Sequence, residues 1–160
     1  MCGVVVGGST GGVTGCSTVG PPEVTFYADG HTVNAAPFQY CDVLVRNCTK
    51  GNPASLKVRA GKPVQISVPS DVADTPWLVI TQYVDASGEP KVKQQFFAPK
   101  AKLAYTATGD APTDSVLVVE VQQLGAAFAA DAQGNPILDE NGNPQLVARG
   151  IWSLQLKPGS

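Results

Sequence analysis

Two cysteines seven positions apart, Cys41 and Cys48, bracket the segment CDVLVRNC. Cysteine can ligate a metal, exchange disulfides or form a structural bond. Zinc takes about four ligands, with cysteines usually two to four residues apart. The chain has 4 cysteines, 1 histidine and no C-x-x-C, so zinc binding and dithiol redox chemistry are poorly supported. A disulfide closing the loop fits, and the chain-entropy argument gives it about 2.5 kcal/mol. In a reducing cytosol the same side chains would be free thiols, which are most often small buried hydrophobes.

The other candidates divide in the same way. His31 follows the Asp29-Gly30 turn and is the sole histidine. A copper site needing two histidines cannot form within the chain, and no serine stands in a G-x-S-x-G setting. Asp71 and Asp74 in PSDVADTPW are the best carboxylates for hydrolytic chemistry. A turn also favours aspartate there, for local backbone hydrogen bonds. Glu120 interrupts VLVVEVQ and reads as an outward strand residue. DENGNP lacks the glycine and glutamate positions of an EF-hand, since Pro144 and Gly150 fall there. Lys91, Lys93, Lys100 and Lys102 gather in one stretch, as a basic interaction patch or as guards of a sheet edge. Asn47-Cys48-Thr49 matches the glycosylation pattern, and a disulfide at its middle residue would make the match accidental.

The first residues, MCGVVVGGSTGGVTGC, carry no charged side chain. They lack the basic n-region and continuous apolar core of a secretory signal. Val13-Thr14-Gly15-Cys16 resembles a lipobox, with Cys16 as the lipidation site and STVGPP as the tether; the alternative is a Gly-rich disordered tail that happens to contain Cys2 and Cys16. A start further upstream or a truncated leader is expected. Residues 1–22 are therefore read as leader and tether, and residues 23–158 as one domain.

These candidates need a scaffold, and the texture from Glu23 onward is all-β. The formal charge of -2, with 13 acids and 11 bases, argues against nucleic acid as a partner. No apolar run reaches the 18 residues that span a bilayer. With 17 glycines and 13 prolines, many short strands joined by tight turns are expected. EVTFYADGHTV reads as a hairpin turning at Asp29-Gly30. LKVRAGKPVQISVP alternates apolar and polar residues around Gly61. WLVITQYV and KVKQQFFAP form a second hairpin, followed by LAYTAT, SVLVVEVQQL and ARGIWSLQL. FQYCDVLVRN is a further strand candidate. Ser70–Ala73 is the one helical turn, with Ser70 as its cap, and LGAAFAAD is a short helix or a bent strand. QGNPIL and NGNPQL echo each other eight residues apart, as a projecting hairpin arm. The expected architecture is a two-sheet sandwich of immunoglobulin-like type with about nine strands, or else a barrel.

EVTFYADGHTV, PFQYC with Cys48 after it, LKVRAGKPVQISVP, DTPW and the closing ARGIWSLQL occur in this order. Together they resemble a family of small exported actinobacterial proteins, catalogued only as a domain of unknown function. The resemblance implies a β-rich domain behind a signal or membrane anchor, and it supports export and the Cys41–Cys48 pairing. It supplies no catalytic residues. The N-terminus here is shorter and less hydrophobic than that family usually shows.

The function expected is a non-catalytic binding or assembly module of the cell envelope. It would be held at the membrane by its N-terminus, contact protein, lipid or glycan, and need no cofactor. A small-ligand carrier between the sheets and a carboxylate hydrolase are the alternatives.

Overall fold

The computed structural model describes residues 5–7, 12–14 and 20–159; Cys2 and Cys16 lie outside them. Near the N-terminus, β1 (Val5–Gly7) and β2 (Gly12–Thr14) pair antiparallel. The rest is an all-β sandwich of two sheets.

The smaller sheet contains β3 (Val24–Ala28), β4 (His31–Ala35), β8 (Val64–Ser67) and β11 (Ala104–Ala107), in the order β11-β8-β3-β4. Alternation builds it: Val24, Phe26 and Ala28 are buried, as are Val64 and Ile66. The β3–β4 turn has positive φ at both Asp29 and Gly30, 51° and 80°. These are the two left-handed positions that an Asp-Gly hairpin requires.

The larger sheet is built on four long strands. These are β9 (Trp77–Val84), β10 (Pro90–Phe97), β12 (Ser115–Phe128) and β13 (Leu146–Pro158), in the order β10-β9-β12-β13. Two-residue β5 (Gln39–Tyr40) joins β13 and carries β6 (Thr49–Lys50) beside it. Further along the same edge, β7 (Ala54–Val58) pairs with β13 in parallel. Trp77, Val79, Val119, Val121, Trp152 and Leu154 point between the sheets and are fully buried. Trp77 stacks on Phe97 with centroids 4.3 Å apart. Gly150 leaves room for Trp152, whose ring comes within 2.6 Å of where a Cβ would stand.

Two local expectations need correction, and one open alternative is decided. FQYCDVLVRN forms a strand only at Gln39–Tyr40, because Asp42 folds the chain into a turn. Of the two readings of LGAAFAAD the bent strand holds: Leu124–Phe128 ends β12, with register shifts after Gln123 and Leu124. In α1 (Ser70–Ala73), Pro69 occupies the cap and no side chain makes a capping bond. Buried Gln123 steadies that turn instead, its Nε2 donating to the Asp71 carbonyl at 3.0 Å and to Thr75 Oγ1 at 3.1 Å.

The sandwich has two unlike ends. One gathers the Asp29-Gly30 turn, the Gly61 turn, residues 85–89, residues 109–114 and Gly159 after β13. The other gathers α1, residues 98–103, the Cys41–Cys48 segment and the β12–β13 connection. Leu124 N–H donates to the Pro76 carbonyl and Lys100 N–H to that of Ala73. The chain enters the domain at this second end. Gly20–Pro22 line a cleft with Tyr40, Cys41, Asp42, Asn47 and Arg149, and Trp152 Nε1 donates to the Pro22 carbonyl at 2.9 Å.

Candidate functional site: a disulfide-closed apolar turn

Cys41 and Cys48 are bonded, with their Cα atoms 4.0 Å apart. Between them the chain reverses around Asp42. The Asp42 N–H donates to the Arg46 carbonyl, and the Val45 N–H to the Asp42 carbonyl. Asp42 Oδ1 accepts from the N–H groups of Leu44 at 3.0 Å and Arg46 at 2.8 Å. Asn47 Nδ2 donates to Oδ2 at 3.0 Å. The Arg46 amide above all holds the Asp42 carboxyl below its ordinary pKa, since donors to a carboxylate favour its charged form.

The same turn occurs three more times, at Asp85–Glu89, Asp131–Asn135 and Asp139–Asn143. Each repeats both backbone bonds and the two amide bonds to the aspartate Oδ1. Asp-x-x-Gly is the shared pattern, and Gly88, Gly134 and Gly142 supply the left-handed position with φ 86°, 84° and 84°. Their two central residues are Ala-Ser, Ala-Gln and Glu-Asn.

The Asp42 turn departs from its siblings at both kinds of position. Val45 stands in the glycine position with φ 60°, which costs a β-branched residue about 1–2 kcal/mol. Its centre is Val43-Leu44, which is 53% and 51% exposed. The turn geometry tolerates small polar residues there, so it does not require two large aliphatic ones. Packing explains Val45: Gly125 leaves room for it, since Val45 Cγ2 lies only 2.8 Å from where a Cβ at position 125 would stand. Ala126 N–H also donates to the Val43 carbonyl at 2.9 Å. Disulfide, aspartate and Gly125 seat together brace the tip. Nearby, Arg149 Nε donates to the Cys41 carbonyl at 3.0 Å, with its guanidinium 5.1 Å from the centre of the Tyr40 ring.

The β12–β13 connection rises beside this turn. Its two Asp turns are separate short hairpins meeting at a three-way junction. Ala129 N–H donates to the Gln145 carbonyl, Gln145 N–H to that of Ile137, and Ile137 N–H to that of Ala129. The eight-residue echo in the sequence is therefore a repeat of hairpins within the expected arm. Phe128, Ile137 and Leu138 are exposed on it. In both DENGNP and DAQGNP the aspartate Oδ1 is committed to its own turn, and no cluster of three metal-type side chains occurs among the described residues.

The remaining candidates are scattered. Lys91 and Lys93 lie on the edge strand β10 and pair with Asp85 at 3.5 Å and Asp110 at 3.4 Å. Lys100 and Lys102 line a cleft at the other end with Asp74 and Leu103. The four lysines thus form two groups. Asp71 lines the cleft beside Gly20–Pro22, so Asp71 and Asp74 open onto different clefts. His31 is exposed on β4. Glu120 lies on the outer sheet face and accepts from Gln122 Nε2 at 2.5 Å. Sequence reading missed the turn tip because a valine hides the Asp-x-x-Gly pattern; the signal was Asp42 aligned with Asp85, Asp131 and Asp139.

Fold and site together define a two-sheet β-sandwich that presents a disulfide-closed apolar turn at the end where its N-terminal segment enters. The chain belongs to the family described as protein of unknown function DUF2771, whose profile matches residues 19–157. Similar curated proteins are uncharacterised proteins of Mycobacterium bovis and Mycobacterium tuberculosis. Each is 28% identical over 137 residues, which is 84% of this chain and 77% of the relative. No solved structure matches the chain.

Proposed function

We propose that the domain is a non-catalytic binding or assembly module of the cell envelope, held outside the cytoplasmic membrane by the segment before Gly20. The observation that carries this reading is the Asp42 turn: backbone strain is accepted at Val45 to hold two aliphatic side chains in water. Apolar presentation on a braced turn suits docking. The Cys41–Cys48 bond supports an oxidising compartment. Membership in a family of unknown function supplies no substrate and leaves this reading to rest on the turn.

The alternatives draw less support. Asp71 and Asp74 face separate clefts, which disfavours them as a hydrolytic pair. Large side chains such as Trp77, Trp152 and Phe26 fill the space between the sheets, which disfavours a carrier there. Fractionation of cells producing the full chain tests the module reading, with Cys16→Ser as the comparison. The unaltered protein is expected in the membrane fraction, and the variant in the soluble extracytoplasmic fraction. Recovery of the unaltered protein from the cytosol, with Cys41 and Cys48 as free thiols, would overturn it.

A further inference from the structure

We propose that the Cys41–Cys48 turn docks on the lipid bilayer itself, with Val43 and Leu44 entering the boundary between headgroups and acyl chains. The inference deepens the envelope reading and rests on its tethering, because tethering sets the reach. Three residues separate Cys16 from Gly20, and the four steps between them span at most about 14 Å when extended. Gly20 lines the same cleft as Cys41, Asp42 and Asn47. A lipid-bearing Cys16 therefore holds this end of the sandwich against the membrane, with the turn beside the point of attachment.

The chemistry of the tip favours lipid over a protein partner. Protein hot spots rely on Trp, Tyr and Arg seated in complementary pockets. Here two aliphatic side chains stand on one convex turn, a shape that suits a deformable phase. Exposed Arg46 stands two positions after Leu44, placed for an anionic headgroup at the depth where long cationic side chains settle. The sibling turns carry Ala-Ser, Ala-Gln and Glu-Asn at the corresponding positions, so only this turn has an apolar tip. Asp131, Asp139 and Glu140 make the turns of the neighbouring arm polar, and its exposed apolar residues, Phe128, Ile137 and Leu138, lie outside the turn tips. Contact from the turn supplements the lipid chain, since stable membrane attachment commonly takes two signals.

The test uses the full chain carrying Cys16→Ser, so that no acyl chain contributes, mixed with vesicles of phosphatidylglycerol and phosphatidylethanolamine. Trp77 and Trp152 are both 0% exposed, so a tryptophan placed by Leu44→Trp reports on the tip. Its emission is expected to move to shorter wavelength with vesicles and to be quenched by brominated lipid, whereas Asn141→Trp on the arm is unaffected. Combining Val43→Asp with Leu44→Asp is expected to lower vesicle binding by roughly tenfold or more. Unchanged Leu44→Trp emission with vesicles overturns the proposal, as does a shift produced only by lipid-free envelope protein. Insertion of the tip by a chain that is unmodified at Cys16 in its own membranes would sink the tethering and leave the lipid contact standing. Acylation without insertion would do the reverse.

Discussion

Val45 holds a backbone conformation that three sibling turns give to glycine, and its side chain sits against Gly125. Steric strain and packing are thus coupled at one contact. A Cβ at position 125 would meet Val45 Cγ2 at 2.8 Å, the Val43 carbonyl oxygen at 3.1 Å and Arg149 Cβ at 3.2 Å. Gly125→Ala is therefore expected to destabilise the domain by about 1–3 kcal/mol. Adding Val45→Gly removes the closest of these contacts and is expected to recover part of the loss. Denaturant unfolding of both single variants and the double one reads this as a non-additive term. Strictly additive losses would contradict the packing account. Replacing Cys41 and Cys48 together by serine is expected to cost about 2.5 kcal/mol, with the far-ultraviolet circular dichroism of the sandwich kept. Stability measured on the oxidised and doubly substituted chains checks it.

At the scale of elements, Gln123 links β12 to the α1 turn through the Asp71 carbonyl and Thr75. Gln123→Leu leaves that carbonyl without its donor and is expected to cost about 1–3 kcal/mol. Amide exchange should accelerate at Ala73 and Asp74, whose N–H groups close α1; unchanged exchange there would count against the link. Much of this architecture was legible in the sequence. Val64-Gln65-Ile66 and Leu56-Lys57-Val58 alternate as half-buried strands do, and Asp29-Gly30 marked its hairpin. Other parts were not, for physical reasons. Two-residue strands such as β5 and β6 carry no period to detect. The parallel β7–β13 pairing depends on which sheet edge a distant segment reaches, and alternation does not encode that. The lysines looked like one patch because sequence proximity hides their separation, Lys91 and Lys93 along β10 and Lys100 and Lys102 in the next loop. The disulfide was legible from residue types and spacing. Its apolar tip was masked by a strand-like run of Val43, Leu44 and Val45, and only the backbone bonds of Asp42 reveal the turn.

At the scale of the molecule, carboxylates hold the turns together and give stability its acid limb. Arg59 donates from its backbone and guanidinium to Asp29, and the guanidinium bonds first of all depress that carboxyl pKa strongly. Asp85 is lowered to about 2, chiefly by the Ser87 hydroxyl, and the Asn135 amide foremost lowers Asp131. A folded carboxyl that ionises more readily than the unfolded one stabilises fully above the unfolded pKa of about 4. That contribution is lost as pH falls through the folded value. Stability is therefore expected to decline below about pH 4, and Asp29→Asn should flatten the decline in urea titrations. Tyr83 gives the opposite limb. Its hydroxyl donates to Asp110 at 2.6 Å, and that bond above all raises its pKa to about 12. A raised folded pKa stabilises below the unfolded value and is lost between about pH 10 and the folded value; Tyr83→Phe should remove that alkaline loss.

The central claim is a disulfide-closed sandwich tethered outside the membrane, and peptide mass spectrometry of the protein isolated from its own membranes tests it most directly. With thiols blocked before lysis and no reductant, the account predicts a linked Cys41–Cys48 peptide and a mature N-terminus beginning at acylated Cys16. Blocked free thiols at Cys41 and Cys48, together with an unmodified Cys16 inside an intact N-terminal peptide, would contradict it.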